Sequence, residues 1–242
     1  MLKIKNVSAT IGNETVLSNI SLEINPGEIH VIMGPKASGK STLVHVIQGN
    51  PYVMQTEGTI IFGKKNINKL SADKRSKLGI FSSFQYPPDI PGLTNLEVAK
   101  LTGENSSLTI FNTELESCYR SLVVQLELGS SFGDNAFNAD DSSPSNWRKN
   151  EILQMIMANP KIAILDEVDL DSDNRSLLVI ANSILSFMND KTRSCILITN
   201  NKVFLDLVNP THVHVMVDGK IKEQGTTELY KRIIEDGYSQ FS

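Results

Sequence analysis

Nine consecutive residues, Gly34-Pro35-Lys36-Ala37-Ser38-Gly39-Lys40-Ser41-Thr42, set four residues between two glycines and follow the second with Lys, Ser and Thr. A phosphate chain is held by backbone N–H groups that converge on it, and glycines at both ends of such a loop permit the tight turn that aims those donors inward. Lys40 adds a positive charge for the terminal phosphates. Ser41 offers a hydroxyl oxygen to the Mg²⁺ that bridges them, and the residues after it open a helix whose positive end faces the same anion. A second group lies far along the chain, where the apolar run Ile162-Ala163-Ile164-Leu165 ends in Asp166 and Glu167. Ligands of α/β sheets sit at the carboxyl ends of the strands, so these two carboxylates are placed for chemistry. Asp166 suits the Mg²⁺ shell, and Glu167 is positioned to polarise a water for attack on a terminal phosphate. A strand with an acidic cap would look the same in isolation; the loop upstream is what gives the pair its meaning.

The elements around these residues must bring the two groups together. Glu28 to Met33 reads as a buried strand leading into the loop, and Ser41 to Gln48 carries Leu43, Val46 and Ile47 at helical spacing after it. Leu2 to Val7 and Ser21 to Ile24 have strand character too, with turn residues at Gly12-Asn13 and Asn25-Pro26-Gly27, and the three strands are expected to form an opening sheet. Gly58 to Gly63 is a short strand, Ser71 opens a polar helix that ends near Gly79, and Ile80 to Phe84 is again a strand. The segment Gln85 to Gly92 contains three prolines and can continue neither ladder nor helix. From Thr94 to about Ala158 the apolar spacing is mostly helical, with soft linkers expected at Gly103 to Ser107 and Gly129 to Asp141. The polar stretch Asn135 to Asn146 reads as mobile, and Asn146 to Met157 as a helix that turns Ile152, Met155 and Ile156 inward. Strands at Lys161 to Asp166 and Ser194 to Thr199 alternate with helices at Asp173 to Phe187 and Phe204 to Leu207, which implies parallel strands with crossover helices. Val213 to Val217 and Lys220 to Glu223 form a hairpin about Asp218-Gly219, and Thr226 to Glu235 is a last helix. The fold class is therefore α/β: residues 1–242 as one domain, with an inserted helical subdomain at about 94–158.

Composition narrows the partners. The chain has 242 residues, a net charge of −4 and no basic run, so the electrostatic footprint of a nucleic-acid binder is missing. No apolar run approaches the length of a membrane span, and Met1 to Val7 opens as a strand rather than a signal peptide, so no direct membrane insertion is expected. Cys118 and Cys195 are the only cysteines and lack CxxC spacing, which argues against a disulfide framework, a zinc site or an iron–sulfur centre built from cysteines of this chain. A reducing compartment is expected, cytoplasmic or the stroma or matrix of an organelle.

With both halves of the site in view, the chain resembles the nucleotide-binding domains of ABC ATPases, and more closely the ATPase subunit of the SUF iron–sulfur assembly system (SufC). The resemblance rests on Pro26 to Pro35, Phe84-Gln85-Tyr86-Pro87 with Ile90-Pro91-Gly92, Asn150 to Met155, Ile164 to Asp169 and Val213-His214-Val215. It implies a P-loop core with an antiparallel N-terminal sheet, ATP and Mg as cofactors, SufB/SufD-like scaffold subunits as partners, and an ATP-dependent dimer. It also implies that Gln85 touches Mg²⁺ or the attacking water and relays the state of the site to a partner. Three positions depart from the pattern. The Ser-Gly-Gly of the family is Ser143-Pro144-Ser145 here, and Pro144 lacks the N–H that would reach a γ-phosphate across the dimer. Ser143 with Pro144 equally reads as an ordinary N-cap and first helical residue. The switch His of the family is Asn200, which carries neither proton nor charge, and the linker that is Ser-Gly-Leu-Asp in the family reads Leu170-Asp171-Ser172-Asp173. Ile11 stands where many such domains offer an aromatic ring to adenine. Slow hydrolysis follows from these departures. A nucleotide-binding regulator without turnover and the motor of a membrane transporter stay open as alternatives.

Overall fold

The computed structural model describes residues 1–83, 90–104, 112–137 and 144–241. Two sheets account for the strands among these residues. The first is antiparallel, in the order β2-β1-β4-β5, built from β1 (Leu2–Ile11), β2 (Glu14–Ile24), β4 (Met54–Phe62) and β5 (Lys65–Asn66). The second runs β10-β9-β3-β8-β7-β6, from β3 (Ile29–Met33), β6 (Ile80–Ser82), β7 (Ile162–Asp166), β8 (Ser194–Ile198), β9 (His212–Val217) and β10 (Lys220–Gly225). Its strands are parallel except β10, which pairs antiparallel with β9.

The expected opening sheet is thus corrected at its third strand. β1 and β2 pair with each other and extend to the two-residue turn at Gly12 and Asn13, but β3 leaves them and lies in the middle of the second sheet, between β9 and β8. The reason is in its side chains. All five residues of β3 are buried, whereas β1 and β2 alternate buried and exposed positions. A strand covered on both faces belongs in a parallel sheet flanked on both sides, and a half-exposed one belongs at the surface. Asn25 to Gly27 is therefore the passage between two sheets.

The period of two along the central strands divides the interior into two cores. Ile32, Ile164, Ile196, Ile198 and Met216 face the antiparallel sheet and α1 (Lys40–Gln48), where they meet Leu2, Ile20, Leu43 and Ile47. Val31, Met33, Ala163, Leu165, Leu197 and Val215 face the opposite layer of helices. Each fully buried aliphatic side chain contributes about 1.5–3 kcal/mol, so both faces of β3, β7 and β8 are fixed by packing. Between β4 and β6, the short α2 (Ala72–Lys77) buries Arg75, which donates to Val46 O at 2.7 Å and Ile47 O at 2.8 Å and so caps the end of α1.

The helical part comprises α3 (Asn95–Glu104), α4 (Asn112–Gln125) and α5 (Pro144–Ala158). Residues 129–137, expected as a soft linker, are instead tied down. Phe132 and Phe137 are buried, Phe137 N donates to Leu93 O at 2.9 Å, and Asn95 Nδ2 donates to Phe132 O at 3.0 Å. Asn150 Nδ2 in turn donates to Asn95 Oδ1 at 3.0 Å, linking α5 to α3. The polarity of 129–137 conceals two anchoring rings, and Gly103 belongs to α3, where its missing side chain admits Leu115. Residues 138–143 of the expected mobile stretch lie outside the described residues. Ile152 and Met155 are buried as read, while Ile156 packs on the core only partly covered. The chain then alternates as expected through β7, α6 (Asn174–Phe187), β8, α7 (Lys202–Val208), β9, β10 and α8 (Thr227–Asp236). Asp218 and Gly219 both take positive φ, 46° and 69°, as the hairpin requires.

Candidate functional site

The loop of residues 34–39 connects the carboxyl end of β3 to the first turn of α1. Gly34 is required by close approach, since a Cβ there would stand 2.1 Å from Met216 O. Gly39 has φ 98°, and Ala37 also takes a left-handed conformation at φ 65°. Backbone strain at a non-glycine residue persists only where neighbours enforce it. The neighbour here is the β9–β10 turn, whose Gly219 N donates to Ser38 O at 3.0 Å while Ser18 N donates to Gly219 O at 2.9 Å. Both sheets therefore brace the loop.

Lys40, the first residue of α1, folds back across the loop. Its Nζ donates to Pro35 O at 2.8 Å, Gly34 O at 3.0 Å and Ser38 Oγ at 3.3 Å. Burial pulls the ammonium below its ordinary pKa, and the negative charges of Glu167 and Asp166 pull it back up. A buried cation surrounded by neutral acceptors is well placed for an anion.

β7 brings the two carboxylates to this charge. Asp166 is the last residue of the strand and is buried; its N–H donates to Ser83 Oγ at 2.8 Å. Burial raises its carboxyl above the usual range, the Ser41 hydroxyl draws it down, and Glu167 pushes it up. Its Oδ1 is buried and has no hydrogen-bond partner. A partnerless carboxylate oxygen beside a serine hydroxyl is an all-oxygen donor set, which fits a hard cation such as Mg²⁺. Glu167 follows in a left-handed turn at φ 53°, held by its N–H to Ile198 O at 2.9 Å, so it leaves the strand rather than continuing it.

The next strand supplies the third wall. Beyond β8, Asn200 Nδ2 donates to Gly34 O at 3.2 Å, and Asn200 Oδ1 accepts from Gly34 N at 3.4 Å and from the Tyr238 hydroxyl at 2.6 Å. Asp169 Oδ2 accepts from Thr199 Oγ1 at 2.7 Å, and Thr199 Oγ1 accepts from Asn201 N at 2.9 Å, which fixes the turn that carries Asn200. The structure thus gathers Gly34 to Thr42, Asp166, Glu167 and Asn200 at one end of the central sheet. Gln85 and Ser143 lie outside the described residues. Pro144 is the first residue of α5, and Ile11 is 45% exposed at the end of β1. Sequence reasoning missed Ser83, Asp169 and Tyr238. A serine at a strand end before a Pro-rich loop could have pointed to the first; nothing local marks the other two.

Residues 17–169 match the ABC transporter family. A probable ATP-dependent transporter, ycf16, of Antithamnion sp. is 38% identical over 243 residues, covering 98% of this chain and 96% of that protein. A probable ABC transporter ATP-binding protein of Streptococcus pyogenes serotype M3 is 34% identical over 246 residues, with 99% and 94% covered. Among solved structures, a dimeric ATP-binding cassette in a post-hydrolysis state, bound to ADP and Pi, superposes with a TM-score of 0.80 at 24% identity, over 93% of this chain and 98% of that one. That likeness is one of fold. Since the family match runs from β2 through the loop and β7 to Asp169, and the relatives align over nearly the whole chain, this chain belongs to the ABC transporter ATPase family, whose members bind ATP.

Proposed function

We propose that the chain is the ATP-binding, slowly hydrolysing subunit of a SufC-type assembly, acting with SufB/SufD-like scaffold subunits in iron–sulfur cluster formation. The observation that carries the nucleotide part is the convergence of Lys40, Ser41, Asp166 and Glu167 on one end of β3 and β7, with Asp166 Oδ1 left without a partner. Backbone N–H groups within residues 36–42 hold the phosphates, and the Lys40 ammonium exchanges its neutral acceptors for phosphate oxygens. Ser41 and Asp166, with Gln85 by the family resemblance, would hold Mg²⁺, which would supply neutralisation of charge on the terminal phosphates. Glu167, turned out of the strand, orients and deprotonates the attacking water. Asn200 holds position at Gly34 but cannot accept a proton and become charged, and Pro144 contributes no N–H to a facing nucleotide; both keep turnover low. Residues of about 94–158 act as the helical subdomain that a partner protein meets.

The SufC-type assignment is supported by Phe84-Gln85-Tyr86-Pro87 and the full-length likeness to ycf16. The printed name of the Streptococcus relative favours a second reading, the ATP-binding subunit of a transporter. No helix among the described residues is long and apolar enough to cross a membrane, and the two readings differ in the partners they name. Co-purification of the tagged chain with mass spectrometry decides between them. Recovery of scaffold proteins without spans supports the first, and recovery of a membrane permease overturns it.

A further inference from the structure

Three of the four histidines lie together at the end of the central sheet opposite the phosphate loop. His30 and His212 are register partners on β3 and β9, with stacked rings whose centroids are 4.4 Å apart, and the His214 ring lies nearly parallel to His30 with its centroid 5.1 Å away. Glu28, at the end of the passage between the two sheets, accepts from His30 Nε2 at 2.9 Å. One ligand atom each from Glu28, His30 and His212 fall within 4.8 Å of one another. His30 is buried, while Glu28 and His212 are half-buried and give access from solvent.

We propose that Glu28, His30 and His212 form a binding site for a late first-row divalent cation of the Zn²⁺ type. Two imidazoles and one carboxylate are a donor set that Zn²⁺ takes with a fourth position open to water. Zn–N and Zn–O bonds of about 2.0–2.2 Å put neighbouring ligand atoms about 3.3 Å apart in a tetrahedron, so the Glu28–His30 pair, now at 2.9 Å, opens a little and the longer separations in the group, all within 4.8 Å, close. His212 has Nδ1 at 3.0 Å from Thr211 Oγ1, which leaves Nε2 as its ligating atom. The carboxylate of Glu28 is oriented toward the His30 ring by the Asn25 N–H, which donates to Oε2 at 2.6 Å.

The independent observation is behind His30. Its Nδ1 lies 2.9 Å from His214 Nε2, and the buried His214 ring has the side chain of Gln224, its register partner on β10, as its other hydrogen-bonding neighbour. With Glu28 accepting from Nε2–H, the His30 Nδ1 lone pair receives the His214 Nε2–H. When a cation takes the Nε2 position, His30 carries its proton on Nδ1 and donates to His214 Nε2, and the His214 proton moves to Nδ1. Both rings stay neutral and the pair stays hydrogen-bonded, so the buried relay accommodates the metal without creating a buried charge. A ring nitrogen oriented from behind by a hydrogen bond is the usual supporting arrangement of a ligating histidine. Bound there, the cation would fasten the passage between the sheets to the start of β9, remote from the nucleotide.

Zn²⁺ titration of the EDTA-stripped full chain by calorimetry, without nucleotide, tests this, with Co²⁺ absorption as the reporter of a tetrahedral nitrogen and oxygen site. We expect one Zn²⁺ per chain with a Kd of about 10 μM or tighter, weakened at least about tenfold by His212→Ala and by Glu28→Gln. Asp166→Asn should leave the affinity unchanged. Circular dichroism in EDTA establishes that each variant is folded, and the two variants, both at half-buried positions, substitute for one another if one is not. Weaker binding than this, a smaller loss in a folded variant, or loss in Asp166→Asn overturns the site.

Discussion

Lys40→Met separates the cost of holding a buried ammonium from its value to the nucleotide, and the two effects have opposite signs. In the nucleotide-free protein, the substitution removes three hydrogen bonds from Nζ. It strands little, because Gly34 O keeps Asn200 Nδ2 at 3.2 Å and Pro35 O keeps Ser38 N at 3.3 Å. Burial has lowered the pKa of this lysine, so its charged form is disfavoured in the folded state relative to the unfolded chain, and that penalty operates at all pH values below the folded pKa. Met keeps the apolar stem and removes the penalty. We therefore expect the stability of the nucleotide-free protein to change by less than about 1 kcal/mol, in either direction. Nucleotide binding loses a charge-assisted contact to the terminal phosphates, worth about 1.5–3 kcal/mol, and the Kd for Mg-ATP rises about 10- to 150-fold. Urea unfolding without nucleotide and calorimetric titration with Mg-ATP measure the two quantities on the same preparation. An affinity within threefold of the parent would refute the assignment of the loop (the tenfold lower limit being about 1.4 kcal/mol). A large loss of stability without nucleotide would refute the argument that the carbonyls remain satisfied.

Glu167→Gln should retain Mg-ATP affinity and abolish residual phosphate release, since the amide keeps the shape of the side chain but cannot take a proton; persistent turnover would move the base elsewhere. Asp166→Asn should leave the nucleotide-free protein as stable or more stable near neutral pH. The sign follows from its raised pKa: ionising this buried carboxyl opposes folding as pH rises from the unfolded toward the folded value, and the amide is spared that cost. The same variant should lose the Mg²⁺-dependent part of the thermal shift by ATP, and a Tm well below the parent in EDTA would contradict the reasoning. Tyr238→Phe deletes the 2.6 Å hydrogen bond to Asn200, so about 1 kcal/mol of stability and about 2–4 °C of Tm should be lost; an unchanged Tm in a calorimetric scan would mean that the contact contributes nothing.

The candidate phosphate loop is legible because its geometry is local: the spacing of Gly34, Gly39, Lys40 and Ser41 states the turn and the placement of the charge within eight residues. Asp166 and Glu167 were legible from an apolar run that stops at two acids. Longer-range contacts were not. Ser83 meets Asp166, Asp169 meets Thr199 and Tyr238 meets Asn200 through folding of segments that carry no shared pattern. β3 was misplaced for a related reason. Its apolar run states that it is buried, but which sheet receives it depends on β8 and β9, more than 160 residues later in sequence. The anchoring of residues 129–137 escapes a local reading because two phenylalanines among glycines, serines, one aspartate and one asparagine look like an exposed linker until Asn95 is seen to bind the backbone there.

Asn200 shows how a departure from a family pattern can preserve one function and surrender another. The Gly34 peptide fixes the orientation of the amide, since its N–H must meet Oδ1 and its carbonyl must meet Nδ2. With Tyr238 also donating, both lone pairs of Oδ1 are used, and one Nδ2 hydrogen is used on Gly34. A single N–H is left to face a phosphate. That donor is neutral, and a charge-assisted hydrogen bond is roughly twice as strong as a neutral one. A protonatable ring in this place could gain charge as charge develops on the phosphate; the amide offers the same modest bond before and during the reaction, which favours binding and transition state alike. The position therefore keeps the geometry of the loop and its contact with the C-terminal segment, and on the proposed function it would do so without contributing to acceleration.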